Sequence, residues 1–303
     1  MIWRNDSAVS IERSSPLSEW TTLGVGGPAD ALAFPRSVED CSALLADCAG
    51  RDQPWRVLGK GSNLLVDDLG VRGLVIHTRE LRWIRFGDGG RVRAGAGTST
   101  STLLAQTRGA GLGGLECLVG YPASVGGAAR MNAGGKWGET GARIEEVVVV
   151  DGAGEIHTLS ADECAFGYRS SALGRVLVVE VAFRLPEVDP REYRARIEQI
   201  HREKAATQPL SEPSAGCVFK NPAPGVSAGK LVDACGLKGV SVGGAMVSNV
   251  HGNFIVNRGG ATARDIQKLI DFIRTEVAAV TGHELVLEVE VWGRHAGRHH
   301  VPA

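Results

Sequence analysis

The sequence predicts an α+β protein, in which helices and strands are mixed without a regular strand–helix repeat. Three observations predict this class. The segment "SVEDCSALLADCAG" has helical periodicity. The β-rich runs "WRVLG" and "GLVIHT" are joined by a loop instead of a helix, and "EVVVVDGAGEIHTLS" contains the turn of a β-hairpin. A chain of 303 residues is long enough for two or three domains.

The first helix is predicted to begin after Ser37, with Asp40 completing a capping box, and to end at Gly50. Its apolar face consists of Cys41, Leu44, Leu45 and Cys48. The strands "WRVLG" and "GLVIHT" follow, on either side of the loop "KGSNLLVDDLGVR". This order differs from the strand that leads directly into a helix in dinucleotide-binding folds.

The middle of the chain is predicted to be mostly β. "RVRAGAG" is a strand, and a helical turn follows in "STSTLLAQTRGAG". The turn Asp151-Gly152-Ala153-Gly154 joins two β-rich runs as a hairpin. "RVLVVEVAFRLP" is a further strand, which Pro186 ends.

Two helices are predicted in the last part of the chain. "DPREYRARIEQIHREKAATQ" is a charged helix with Pro190 in its first turn, and it places a domain boundary near residue 190. "TARDIQKLIDFIRTEVAAVTG" is capped by Thr262 and Asp265 and ends at Gly282. Its apolar stripe comprises Ile266, Leu269, Ile270, Ile273, Val277 and Val280.

The C-terminal segment "ELVLEVEVWG" alternates apolar and acidic residues. A strand is predicted there, with Glu288 and Glu290 on the same face. The tail beyond it carries His295, His299 and His300 at a spacing that can hold a metal. Because no carboxylate or Cys accompanies these histidines, the tail favours a solvated terminus, and no metal site is predicted.

Charge and composition exclude several classes of partner. Lys and Arg total 33 and Asp and Glu 34, so a net charge of -1 gives no field that would attract nucleic acid or an anionic membrane. No apolar run reaches the roughly 18 residues that span a membrane. The six cysteines form no C-x-x-C pair, and "MIWRNDSAVSIERSS" is too polar for a signal peptide. We therefore expect reduced thiols, a cytoplasmic location and a monomer.

Glycine clusters indicate main chain held close to a ligand. "GVGGPA" formally satisfies G-x-G-x-x-A, but no apolar strand precedes it and Pro35 closes the segment, so a dinucleotide motif is disfavoured. "LGKGSNLLV" lacks the Walker spacing, yet its glycines permit a nest of N–H groups around a pyrophosphate. Residues 111–139 are either a second ligand-binding segment or an irregular glycine-rich connector.

Seven segments together resemble one protein family. They are "VLGKGSNLLV", "GLECLVGYPASVGGAARMNAGG", "GYRSSAL", "SAGCVFKNP", "AGKLVDACGLKG", "VSNVHGNFIVN" and "LEVEVWG". Their order is that of the UDP-N-acetylenolpyruvoylglucosamine reductase (MurB) family, over about residues 20 to 293. No extended substrate-capping insertion separates the motifs, so the chain resembles the shorter subtype of that family.

The resemblance implies a vanillyl-alcohol-oxidase (PCMH)-type FAD-binding fold. Two subdomains, at residues 1–80 and 81–190, would bind FAD, and a C-terminal α/β domain at 191–303 would bind the substrate. The cofactor would be non-covalent FAD, with NADPH as co-substrate. The implied FAD contacts are Gly59, Lys60, Gly61, Ser62, Asn63, Tyr121, Pro122, Ala123, Ser124, Val125, Gly126, Gly127, Met131, Asn132, Ala133 and Gly134.

The reaction implied by the resemblance reduces UDP-N-acetylglucosamine enolpyruvate to UDP-N-acetylmuramate for peptidoglycan. A hydride adds to C3 of the enol ether and a proton adds to C2. Arg169 in "GYRSS" would hold the substrate carboxylate, and Glu290 in "EVEVWG" would polarise or protonate the same unit. Cys217 matches the proton donor, and Lys220 and Asn221 match residues that reach the diphosphate.

Cys217 departs from the serine that is commonest in the family. A thiol with an ordinary pKa near ~8.5 is mostly protonated at neutral pH and is a stronger acid than a hydroxyl. Lys220 and Arg169 would lower that pKa and favour the thiolate instead. From position alone, between Gly216 and Pro222, Cys217 can also be a small buried hydrophobic residue.

Other interpretations stay open at this point. Without their motifs, Arg169 and Glu290 can be ordinary surface residues, and His251 is interpreted as a structural hydrogen bonder. The chain can be a related FAD-dependent oxidase or dehydrogenase with a different substrate, or a non-catalytic nucleotide-sugar-binding paralogue. The presence of Arg169, Cys217 and Glu290 together disfavours the paralogue.

Overall fold

The computed structural model describes residues 9–293, which fold into three main sheets with helices packed on them. The histidine tail lies outside the described residues, so the prediction that it holds no metal stays a prediction. Within residues 9–293, no group of three or more His, Cys, Asp or Glu side chains is arranged to hold a metal ion. In the same residues, no helix is both long and apolar enough to cross a membrane.

The strands are numbered in chain order. They are β1 (Ser10–Pro16), β2 (Pro28–Phe34), β3 (Trp55–Leu58), β4 (Leu64–Val66), β5 (Val71–His77), β6 (Ile84–Phe86), β7 (Arg91–Gly95), β8 (Gly134–Gly135), β9 (Gly138–Glu139), β10 (Ile144–Val150), β11 (Ile156–Ser160), β12 (Leu177–Arg184), β13 (Ser214–Cys217), β14 (Ser241–Val242), β15 (Ala245–Val247), β16 (Phe254–Asn257) and β17 (Glu290–Trp292). The α-helices are α1 (Val38–Gly50), α2 (Thr100–Gly109), α3 (Val125–Arg130), α4 (Pro190–Thr207), α5 (Ala228–Ala234) and α6 (Ala263–Thr281).

The first sheet has the order β1-β2-β5-β3 and is parallel except for β1. The predicted helix α1 is confirmed, and its four predicted apolar residues are buried. The capping box predicted at the N-terminus of α1 is incomplete. The Ser37 hydroxyl accepts a hydrogen bond from the Asp40 N–H, but the Asp40 carboxylate accepts from the Arg36 N–H, so the box is only half formed. "GVGGPA" leads into β2, which begins at Pro28, and opens no helix, which agrees with the argument against a dinucleotide motif.

The second sheet is antiparallel, with the order β11-β10-β12-β7-β6. The predicted hairpin is confirmed, because β10 and β11 pair up to Val150 opposite Ile156 on either side of the turn. Helices α2 and α3 cover one face of this sheet and enclose a core that includes Leu103 and Phe183. The α1 helix contributes to a second cluster with Val179 of β12, so the first two sheets are packed against each other.

The third sheet has the order β13-β16-β15-β14 and carries α5 and α6. Both predicted C-terminal helices are confirmed. Asp189 caps α4 with Pro190 in its first turn, and Thr262 and Asp265 form a complete capping box on α6. The prediction that Val280 belongs to the buried stripe of α6 was wrong. Val280 is 67 % exposed, because the last turn of α6 extends beyond the buried cluster.

The C-terminal segment returns to the first subdomain. Only Glu290–Trp292 of the predicted strand is regular, because its partner β4 is equally short; the two run parallel, with Glu290 opposite Leu64. A second link joins the same units: the Asp68 carboxylate accepts hydrogen bonds from the Ala263 and Arg264 N–H groups at the start of α6. The boundaries at residues 80 and 190 remain predictions.

We expect Asp68→Ala to lower the free energy of unfolding by about 1–2 kcal/mol, because two N–H groups of α6 lose their acceptor. Urea denaturation followed by circular dichroism measures the change. Asp47→Ala is the matched control, since Asp47 makes only an exposed ion pair with Arg51, and its loss should cost less than about 0.5 kcal/mol. Equal effects of the two substitutions would contradict the role of Asp68.

Candidate active site

The three sheets meet around a cavity of about 540 Å³. Its walls come from the loop 59–63 between β3 and β4, the segment 120–124 before α3, and the segment 208–217, which comprises the loop after α4 and strand β13. Glu288 and Glu290 line it from the C-terminal segment. A cavity of this size is typical of a small-molecule or cofactor site.

The loop 59–63 is bent in a way that requires glycine. Gly61 has a φ of 61°, and a Cβ at this position would lie 2.2 Å from the Trp20 carbonyl oxygen. A Cβ at Gly59 would lie 2.4 Å from the Ser124 hydroxyl of the opposite wall. The two predicted ligand-binding segments therefore approach each other through glycine, and their main chain faces the cavity.

Most of the predicted FAD contacts line this cavity. They are Gly59, Lys60, Gly61, Ser62, Asn63, Tyr121, Pro122, Ala123, Ser124, Gly126, Gly127, Met131 and Ala133. Val125, Asn132 and Gly134 lie behind the wall. Val125 is buried in the core that α2 and α3 enclose against the second sheet. Asn132 forms hydrogen bonds with Glu139 and with the main chain, and Gly134 belongs to the short β8–β9 pair. These three residues support the wall, and their contact with FAD remains a prediction.

The wall fits the FAD that the resemblance implies. Large side chains are replaced by glycine where the two segments come together, which leaves room for a planar ligand close to the main chain. The cavity runs without interruption from the loop 59–63 to Cys217 and Arg169, so one ligand can contact both ends. The residues able to hold FAD are those of 59–63 and 121–127.

Arg169 enters the cavity from a strained turn between β11 and β12. Its φ is 53°, a conformation that non-glycine residues seldom adopt and that is enriched at functional sites. Its side chain is 15 % exposed, and Nε lies 2.8 Å from the Glu288 Oε1. The buried Nε nevertheless has no aligned hydrogen-bond acceptor, so the guanidinium retains a donor for a ligand.

Two carboxylates of the C-terminal segment, Glu288 and Glu290, line the cavity, and the part of Glu290 in the reaction remains a prediction. Glu288, not Glu290, contacts Arg169, because the Glu288 N–H donates to the Val218 carbonyl and holds Glu288 next to Cys217. The sequence could not separate the two glutamates, since both point to the same side of the segment.

Glu290 lies at another part of the cavity wall. Its N–H donates to the Asn63 carbonyl. Its carboxylate accepts from Arg130 Nη1 at 2.7 Å and from Trp292 Nε1 at 2.9 Å.

The two glutamates differ in protonation tendency. Burial raises the pKa of Glu288, against the opposing charges of Arg169 and Lys220. Burial acts in the same direction on Glu290, but Arg130 and the Trp292 hydrogen bond outweigh it and hold the Glu290 pKa below its ordinary value. Neighbouring acids whose pKa values are driven apart are typical of a site that separates proton transfer from charge stabilisation. Of the two carboxylates, Glu288 has the higher pKa.

Cys217 lies at the end of β13, beside Glu288. Gly216 has a φ of 74°, and the register with β16 shifts between Ser214 and Cys217, so the thiol is turned toward the cavity. Burial and the negative charge of Glu288 raise the pKa of Cys217 to about 12, and Arg169 opposes them only in part. The thiol is therefore protonated at neutral pH.

Lys220 and Asn221 lie beyond the cavity wall. The Lys220 N–H donates to the Val286 carbonyl, and its charge acts on Glu288. The Asn221 side-chain oxygen accepts from the Ala228 N–H at the start of α5, which is a structural role. The contact of both residues with a diphosphate remains a prediction. His251 accepts from the Asn253 N–H, as expected for a structural hydrogen bonder.

Comparison with known proteins identifies both parts of the chain. Residues 29–160 match the family model described as an FAD binding domain. Residues 208–292 match the model of the UDP-N-acetylenolpyruvoylglucosamine reductase C-terminal domain. The loop 59–63 and the segment 120–124 fall in the first match, and Cys217, Glu288 and Glu290 fall in the second.

Relatives of the full length exist in several bacteria. The UDP-N-acetylenolpyruvoylglucosamine reductase of Moorella thermoacetica is 48 % identical over 92 % of this chain and 92 % of its own. That of Heliobacterium modesticaldum is 44 % identical over 94 % of this chain and 92 % of its own. The crystal structure of the Thermus caldophilus enzyme superposes with a TM-score of 0.81, at 42 % identity, over 94 % of this chain and 99 % of that one.

A more distant structure shows the fold alone. The glucose dehydrogenase Phl p 4.0202 superposes with a TM-score of 0.51 at 16 % identity, over 59 % of this chain and 42 % of that one. Together with the FAD-binding match, this confirms the predicted vanillyl-alcohol-oxidase-type fold with an added C-terminal domain. The family is shown by the Moorella thermoacetica relative, which is 48 % identical over 92 % of both chains. The chain belongs to the UDP-N-acetylenolpyruvoylglucosamine reductase family.

Proposed function

We propose that this protein is an FAD-dependent oxidoreductase that uses NADPH to reduce UDP-N-acetylglucosamine enolpyruvate to UDP-N-acetylmuramate, a peptidoglycan precursor. Family membership supports the activity. The observation that carries the mechanism is the meeting of Arg169, Glu288 and Cys217 in the cavity that the FAD-binding segments line. FAD, which the residues of 59–63 and 121–127 would hold, would supply the hydride for C3 once reduced by NADPH.

Arg169 binds and orients the substrate carboxylate. Its guanidinium is fixed by the Glu288 carboxylate, which lies 2.8 Å from Nε, and the Nε–H has no aligned acceptor. A charge-assisted hydrogen bond from this donor also stabilises the negative charge that develops next to C2 when hydride arrives at C3. Because the site is largely shielded from water, this stabilisation is stronger than at an exposed arginine.

Cys217 supplies the proton that C2 requires. A thiol whose pKa is raised to about 12 holds its proton throughout the neutral range. It gives that proton up only to a strongly basic carbon such as the one generated at C2. Glu288, whose pKa is also raised, lies beside Arg169 and replaces Glu290 as the proposed acidic partner. The proposal that Lys220 and Asn221 bind the diphosphate rests on the resemblance alone.

The purified protein should bind FAD and show flavin absorbance. Anaerobic NADPH should bleach the flavin, and the enolpyruvyl sugar nucleotide should restore the colour while other electron acceptors do not. Stopped-flow absorbance measures both half-reactions. Recolouring by a different acceptor alone would indicate the related oxidase or dehydrogenase, and a protein unable to bind FAD would exclude the proposed function.

Replacing the proton donor tests the role of the thiol. Cys217→Ser should keep much of the activity, because a hydroxyl can also donate a proton, whereas Cys217→Ala should lose at least about 100-fold in kcat. Cys235→Ser, at a half-buried cysteine outside the cavity wall, is the control and should behave as the unchanged enzyme. Full turnover by the alanine variant would remove Cys217 from the mechanism.

The raised pKa of Cys217 has a measurable consequence. Since the pKa is about 12, the thiol stays protonated as the pH rises well above neutrality. The ratio of kcat/KM between Cys217→Ser and the unchanged enzyme should therefore be constant from about pH 7 to about pH 9.5. A ratio that changes through this range would mean that Cys217 ionises there as a thiolate.

Replacing each glutamate by glutamine distinguishes the roles of Glu288 and Glu290. Glu288→Gln should lower kcat by about 100-fold or more, because it removes the acidic group beside Arg169. Glu290→Gln should cost about tenfold at most, since a glutamine can still accept from Arg130 and Trp292. Steady-state kinetics with saturating FAD distinguishes them. A larger loss of kcat in Glu290→Gln than in Glu288→Gln would show that Glu290 is the acidic group of the reaction.

A further inference from the structure

Lys204 of α4 is a buried cation behind the cavity wall. The residue is only 3 % exposed, although lysine is seldom buried without a partner. Its Nζ donates to the Val119 carbonyl at 2.5 Å, directly before the segment 120–124. The neighbouring acid on α4, Glu203, pairs with Lys136 and leaves Lys204 to the main chain.

Two aromatic rings surround the Lys204 ammonium. Its Nζ lies 4.0 Å from the centroid of the Tyr121 ring and 5.1 Å from that of Trp137. A cation that has lost its water shell is attracted to such ring faces. Tyr121 lines the cavity, and its hydroxyl donates to the Gly134 carbonyl, so the ring is held at both ends.

Lys204 does not itself line the cavity, and it contacts the site through Tyr121. Tyr121 is a neighbour of Arg169, which opposes the effect of burial on the Tyr121 pKa. A displaced Tyr121 ring would change both the wall available to the flavin and the surroundings of Arg169. We infer that Lys204 is the positioning residue of the second FAD-binding segment: its ammonium holds the Val119 carbonyl and the Tyr121 ring in the cavity wall.

This inference rests on the proposed function, because the wall it concerns is the FAD-binding one. The charge on Lys204 makes it testable by pH. Burial lowers the pKa of Lys204 to about 8, so the ammonium is charged below that pH and becomes a neutral amine above it. A neutral amine is no longer attracted to an aromatic face. The affinity for FAD should therefore decrease as the pH rises through about 8.

The neighbours of Lys204 whose pKa is shifted titrate away from about pH 8. Those that face it or its neighbours are Cys117, Tyr121, Lys136, Arg169, Glu203 and Cys217. Burial raises the pKa of Cys117 to about 11 and that of Cys217 to about 12, and it also raises the pKa of Tyr121. The ion pair with Lys136 holds the pKa of Glu203 below its ordinary value. Lys136 is exposed and pairs with Glu203.

The experiment measures the dissociation constant of FAD from the deflavinated protein by flavin fluorescence. For the unchanged protein, we expect binding to weaken about tenfold between about pH 7 and about pH 9.5. Lys204→Met should bind about tenfold more weakly at the lower pH and show no such change with pH. Lys204→Arg keeps its charge at both pH values and should retain tight, pH-independent binding. Lys268→Met, at an exposed lysine of α6, is the control and should follow the unchanged protein.

The outcomes separate this inference from the proposed function. Failure of the unchanged protein to bind FAD at neutral pH would overturn both. FAD binding that is independent of pH in the unchanged protein, or Lys204→Met binding as tightly as the unchanged protein, would overturn the role of Lys204 alone. If Lys204→Met does not fold, the pH titration of the unchanged protein and the Lys204→Arg variant decide between these results.

Discussion

The buried ion pair between Arg169 and Glu288 is the contact on which the site depends. The two residues come from different parts of the chain, one from the second sheet and one from the C-terminal segment, and each side chain is only 15 % exposed. A buried charge without its partner is strongly destabilising, so the pair requires the C-terminal segment to lie across the cavity. The pair also leaves the buried Arg169 Nε without an aligned acceptor. A contact that is incomplete in this way is suited to an anionic ligand.

The register of the C-terminal segment determines which glutamate meets which cation. The Glu288 N–H pairs with Val218, and the Glu290 N–H pairs with Asn63, before β17 continues along β4. A shift by two residues would exchange the two carboxylates and leave Arg169 and Arg130 with different partners. Short regular pairing is sufficient here because the side-chain contacts of both glutamates add to the few main-chain hydrogen bonds.

The low-polarity surroundings of the cavity explain how the thiol of Cys217 keeps its proton beside a cation. At the surface, a thiol beside Arg169 would lose its proton readily. Inside the cavity, burial and the charge of Glu288 outweigh Arg169 and keep the Cys217 thiol protonated. Burial also lowers the pKa of Lys204 and raises that of Glu288. One physical cause, the exclusion of water, therefore adjusts the acid, the thiol and the positioning lysine.

The sequence by itself determined the helix caps, the hairpin turn, the glycine-rich walls and, through its ordered motifs, the family. Caps such as Thr262 with Asp265 depend on residues within one helical turn, and Gly61 is needed for its own main-chain conformation, so local patterns are sufficient to predict them. Only the tertiary structure decided the partners of Glu288 and Glu290, the exposure of Val280, the pairing of β4 with β17 and the burial of Lys204. Arg130 and Glu290 are 160 residues apart in the chain. Contacts of that kind, and the pKa values they set, depend on how distant segments pack, because electrostatic energy follows distance and burial in space and not separation along the sequence.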